Sequence, residues 1–162
     1  MEDKKKLDKK TIIIISAVVA VLVILGAFLV LGKGNSGDTT TVEGMANKIL
    51  NEQKYYIDNM QELSKEADPE GQFLEMFFTV NPADVANYKG HVPMMNTKSS
   101  CYIVIEPKEG AKDNVLKALN KFKENYDNQW KRYLPDQYEL VKQMEIKQEG
   151  NLIYVVVPME QE

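Results

Sequence analysis

One cysteine, one histidine and one tryptophan in 162 residues set the first limits. A lone thiol, Cys101, cannot close an intramolecular disulfide, so an exported part of this chain must depend on its core for stability. With His91 and Cys101 as the sole imidazole and thiol, the three or four ligands of a zinc or other transition-metal site are lacking. No glycine-rich phosphate loop occurs: beyond residue 37 the glycines fall singly. Asp68-Pro69-Glu70-Gly71 offers two carboxylates without the alternating spacing of a calcium loop, and reads as a turn that ends a helix. Positive charge is also short, with 20 Lys+Arg against 24 Asp+Glu. The acidic balance makes nucleic acid a poor partner. No catalytic, cofactor-binding or metal residue is assigned, no cofactor is implied, and the expectation is that the chain is not an enzyme.

Long apolar runs are absent with one exception. Ile12 to Leu31 is 20 residues without a charge. As a helix it would span about 30 Å, the thickness of a bilayer's hydrocarbon core. Its β-branched residues would favour a strand in water, but in lipid a lone segment satisfies its backbone only as a helix. A cleaved signal peptide is the rival reading. It needs a shorter apolar region and a small-x-small site, and Leu31-Gly32-Lys33-Gly34 is a poor match. Lys4, Lys5, Lys6, Lys9 and Lys10 precede the run and Lys33 alone follows it closely, which puts the N-terminus in the cytoplasm. The expected organisation is a basic cytoplasmic tail at 1–11, a single-pass transmembrane helix at 12–32, a flexible tether at 33–41 and an extracytoplasmic domain at 42–162. The first eleven residues hold 5 basic and 3 acidic groups, so the rest carries 15 against 21.

Within the exported part, Val42, Met45, Ile49, Tyr56, Met60 and Leu63 recur at helical spacing and predict one helix over about 43–66. Phe73 to Val80 is too short to assign to helix or strand. Asn81-Pro82 looks like an N-cap with proline at the first helical position, opening a short helix to about Tyr88. His91 to Asn96 and Ser100 to Glu106 read as strands of a hairpin, the second rich in β-branched residues. Val115, Leu119, Phe122, Tyr126, Trp130 and Tyr133 form one apolar stripe, predicting a helix over 113–134 that Pro135 stops. Gln143 to Glu149, a Gly150-Asn151 turn and Leu152 to Pro158 predict a closing hairpin, with Val155 to Val157 in mid-sheet. The fold class is therefore α+β: a transmembrane helix, a further helix, and a small ββαββ domain with an antiparallel sheet and helices on one face.

Asn81-Pro82-Ala83-Asp84-Val85 with Tyr88, Met94-Met95-Asn96 ahead of a strand, Tyr133-Leu134-Pro135-Asp136-Gln137-Tyr138 and Gly150 in the last hairpin form a recognisable set. The stretch carrying them, about 81–158, resembles a domain-of-unknown-function family of membrane- or lipid-anchored proteins exported by Gram-positive, mainly clostridial, bacteria. Ser99-Ser100-Cys101 departs from that pattern, where acidic residues are expected. The resemblance implies an extracytoplasmic bacterial domain and brings no activity with it.

Four sets of residues could still carry chemistry. His91 and Cys101 could meet across a hairpin as a thiol and its base, although cysteine on an apolar strand is ordinarily a small buried hydrophobe. Met94, Met95 and Met159 could offer thioethers to copper(I), or simply pack at core edges. Tyr126, Trp130 and Tyr133 could form a stacking platform, but they share the helix's apolar face and so read as core. The carboxylates of Asp136 with Glu139 and of Glu106 with Glu109 read as a solvated acidic surface. The expected role is a non-enzymatic accessory or protein-interaction module of the bacterial cell envelope, integral to the cell membrane and touching an envelope protein. A sensor for a small molecule or peptide is the alternative, and a wall-acting hydrolase a third.

Overall fold

The computed structural model describes residues 38–160. The tail, the transmembrane helix expected at 12–32 and most of the tether lie outside the described residues. Among those described, no helix is long and apolar enough to cross a membrane.

The chain is α+β, with four helices and a five-stranded antiparallel sheet among the described residues. Helix α1 (Val42–Gln53) is capped by Thr41, whose hydroxyl accepts from the Gly44 amide. It ends earlier than its periodicity predicts. Lys54 turns left-handed at φ 51°, and Met60–Ser64 is an edge strand, β1, rather than the tail of a long helix. Helix α2 (Gln72–Phe78) settles the ambiguous aromatic stretch. Asn81 does cap the next turn, accepting from the Ala83 amide, but that turn is three residues of 3-10 helix (Pro82–Asp84). Strand β2 (Val85–Pro93) starts where the short helix was expected to continue, because Val85 and Tyr88 are drawn into pairing with Pro107 and Ile105.

Strand β3 (Cys101–Pro107) completes the expected hairpin. At Gly90 the two strands lie so close that a Cβ would fall 2.3 Å from the Tyr102 carbonyl oxygen. Helix α3 (Lys112–Trp130) follows, and Pro135 opens a further helix, α4 (Pro135–Val141). Leu134 is extended, as a residue before proline tends to be, so α3 gives way to a turn at 131–133. Strands β4 (Glu145–Glu149) and β5 (Leu152–Val157) form the closing hairpin as expected.

The sheet order is β1-β2-β3-β5-β4. Strand β5 is interior, but the centre is β3, which is why its residues are buried on both faces. Successive strand residues point to opposite faces, and here each face has its own core. Cys101, Ile103, Ile105, Ile153, Val155 and Val157 meet α2, α3 and α4 through Leu74, Phe78, Leu119, Phe122, Tyr126, Trp130 and Val141. Tyr102, Val104, Leu152 and Val156 meet α1 through Val42, Met45, Ala46, Ile49 and the following Tyr55. The helices therefore cover both faces, not one. Two apolar surfaces on one sheet require this, since leaving either wet would forgo about 25 cal/mol per Å².

Candidate functional site

The residues thought able to carry chemistry are mostly dispersed by the fold. Cys101 points into the α3 side, where burial pushes its thiol up to about 12. His91 lies on the opposite face with its Nδ1 2.8 Å from the Tyr102 hydroxyl. The two cannot act as a thiol and its base. Burial also lowers the His91 pKa, against the nearby Glu62 carboxylate, which raises it. Trp130 and Tyr126 are buried, and only Tyr133 stands outside, at 49 % exposed, so the aromatic stripe is core rather than a platform. Glu139 is paired with Lys142 at 2.6 Å. Asp68 does not end a helix. Its carboxylate accepts from the amides of Gln72, Phe73 and Leu74 and so starts α2. Among the described residues, no group of three or more His, Cys, Asp or Glu side chains is placed to hold a metal ion.

What the fold does assemble is a groove of about 820 Å³ at one end of the sheet. Its walls are the end of α1, the loop that follows and the start of β1 (Gln53, Lys54, Tyr56, Asn59, Met60), the end of β2 and the β2–β3 loop (Pro93, Met95, Lys98, Ser100) and the C-terminal Met159 and Glu160.

Each wall has a local cause. The Lys54 amide donates to the Leu50 carbonyl and closes α1. The next side chain, Tyr55, turns inward and its hydroxyl bonds the carbonyl oxygens of Cys101 and Val157. With Tyr55 pinned beneath, Tyr56 and Ile57 are thrown outward, Tyr56 to 63 % exposure. The Met94 amide reaches the Asn59 carbonyl at 3.4 Å and ties the two loops together. Deeper in the β2–β3 loop, Ser99 bonds Gln137 through both its amide and its hydroxyl, and Tyr126 donates to the Ser99 carbonyl. The Ser100 hydroxyl donates to the Pro158 carbonyl at 2.8 Å and holds the C-terminal segment in place. Lys98 and Glu160 pair at 2.9 Å, which holds the Glu160 carboxyl below its ordinary range. The base of the groove is thus fixed by buried hydrogen bonds while its rim is exposed.

The groove therefore has thioethers and a phenol for apolar contact, two amides, two ammonium groups and one carboxylate. Its only hydroxyl of the serine type is committed to a carbonyl, and His91 is not among the lining residues. This composition suits binding. Met95 and Met159 do come together here, with Met60, but Met94 and Met95 are 68 % and 51 % exposed and are not core-edge fillers.

Residues 57–158, more than half of the chain, match the family described as Domain of unknown function (DUF4358). The chain belongs to this family. The match supports the part of the resemblance that concerns a family of unknown function, and the matched segment begins earlier than Asn81-Pro82, just ahead of β1. No curated protein and no solved structure matches the chain. The family segment contains Met60, Met95, Lys98 and Ser100 of the groove, whereas Lys54, Tyr56, Met159 and Glu160 come from its flanks. Sequence reasoning missed the groove because its residues are far apart in the chain. The doublets Tyr55-Tyr56 and Met94-Met95 gave no signal, because their periodicity assigned them to a helix and a strand when the fold puts them in loops.

Proposed function

We propose that this chain is a non-enzymatic binding module of the bacterial cell envelope, anchored by residues 12–31, which engages a partner protein through the groove at the α1 end of the sheet. The observation that carries the reading is the convergence of Tyr56, Met60, Met95 and Met159 on one concave surface with an exposed rim. Methionine supports the same reading, being adaptable and common on surfaces that bind partners. The anchor rests on the charge-free run from Ile12 to Leu31, and the outward placement of the domain on the lysines before it. A sensor of small molecules would be better served by an enclosed pocket than by walls this exposed.

A photo-crosslinking amino acid at position 95 tests the proposal in native membranes. A discrete protein adduct from position 95, and none from position 147 on the far edge strand β4, is the expected result. Equal labelling from both positions, or none from position 95, would sink it.

A further inference from the structure

We infer that the groove receives a short acidic peptide segment, whose large apolar side chains seat between Met60, Met95 and Met159 while a carboxylate pairs with Lys54. This deepens the binding-module reading and rests on it.

The apolar part of the recognition follows from which residues gather here. Met60, Met94, Met95 and Met159, half of the chain's eight methionines, stand at this end of the sheet. An unbranched thioether side chain reshapes around differing apolar partners, which is how methionine-rich surfaces accept peptides of varied sequence. A concavity of about 820 Å³ accommodates a few peptide side chains rather than a flat protein face.

The acidic part follows from local charge running against the whole. The chain carries a net charge of −4, yet among the described residues the charged groups lining the groove are Lys54, Lys98 and Glu160. Glu160 already pairs with Lys98 at 2.9 Å. Lys54 has no ion-pair partner among the described residues. A lone ammonium beside an apolar wall selects a carboxylate and rejects a second cation. The Lys98–Glu160 pair is itself exposed, at 52 % and 54 %, so an incoming carboxylate can exchange with that of Glu160 at little cost.

The test uses the full chain in lipid nanodiscs with 13C-methyl methionine. Two nine-residue peptides are titrated, each with a Leu-Phe-Leu centre, one flanked by glutamates and the other by lysines. The glutamate peptide is expected to shift the methyl signals of Met60, Met95 and Met159. Met45 and Met144, buried at 1 % and 3 % exposure, should stay fixed and report an intact fold. Lys54→Glu should weaken the glutamate peptide by about two- to fivefold or more, the range an exposed ion pair provides. Glu160→Gln should strengthen it by freeing Lys98. Equal binding of the lysine peptide, or groove methyls unmoved by either peptide, would overturn the inference. So would groove methyls already shifted by the lipid of the nanodisc, which would assign the surface to the bilayer. A specific adduct from position 95 with no acidic preference would remove this inference alone, whereas loss of the adduct removes the binding reading beneath it.

Discussion

Replacing Asp68 by alanine should cost this small domain a large part of its stability. The residue is 5 % exposed, and its two carboxylate oxygens accept from three successive amides: Gln72 at 2.9 Å, Phe73 at 2.9 Å and Leu74 at 3.2 Å. Helix α2 has no side-chain cap of the ordinary kind, since Gly71 occupies the N-cap. Alanine would release all three amides. Those of Gln72 and Phe73 belong to exposed residues and can return to water, a loss comparable to a missing N-cap, about 0.5–2 kcal/mol. Leu74 is buried, and its amide would stay orphaned, at about 1–3 kcal/mol. The sum is about 1.5–5 kcal/mol, out of roughly 5–15 available to a domain. The backbone carbonyl of Asp68, which accepts from the Tyr88 hydroxyl at 2.5 Å, is untouched by the substitution. At about 4 °C per kcal/mol the melting temperature should fall by about 6–20 °C. Asp68→Asn, which keeps one oxygen, should fall by less than half of that. Thermal melts by circular dichroism of the full chain and both variants measure it. A shift under about 3 °C for the alanine variant, or equal shifts for the two, would refute the capping argument.

Trp130→Ala, which empties a site 2 % exposed between Tyr126 and Tyr133, should cost about 3–5 kcal/mol, while Trp130→Phe should cost far less because its ring still fills most of that site; paired melts decide it. His91 faces Tyr102 and Glu62, with Lys89 and Glu43 close by, and burial holds its folded pKa below the ordinary 6.5. The unfolded chain therefore binds the proton more readily, so stability is full above about pH 6.5 and is lost as pH falls below it; His91→Gln should flatten that slope in denaturant titrations. Protease added to intact cells stripped of their wall should remove the domain and spare residues 1–11. Survival of the full-length chain where a known surface protein is degraded would reverse the orientation. Mass spectrometry of the native protein should find the apolar run retained; an N-terminus near Gly34 would mean that a signal peptidase had removed it.

Those elements whose pattern and packing agree were legible in the sequence. The 4- and 3-residue steps from Val115 to Trp130 mark the buried face of α3, and Gly150-Asn151 between two β-rich runs marks the last hairpin. The first fifth of the domain was not. Tyr56, Met60 and Leu63 keep a helical spacing by coincidence, and the break falls at Lys54, a residue that gives no warning of a left-handed turn. Pro135 was read as a stop alone, and it also opens a helix. Asp68 was placed at the end of one helix when its carboxylate begins another, since a capping side chain four to six residues ahead of its targets leaves no local pattern. The groove was illegible for a different reason. Its walls are brought together by Tyr55, Ser100 and the Met94 amide, all of which bond to backbone carbonyl oxygens, an acceptor that every residue carries.

The boundary of the family and the boundary of the folded body do not coincide. The family segment opens at residue 57, after α1 has ended, yet α1 is the lid over Tyr102, Val104, Leu152 and Val156. A fragment cut at that boundary would keep every strand and still present a wet apolar face, inviting aggregation or self-association. The segment that the family matches thus carries the sheet and the helices on its first face, while the cover on its second face comes from residues ahead of it. The groove has the same dependence, since Lys54 and Tyr56 enter it from the turn that ends that cover.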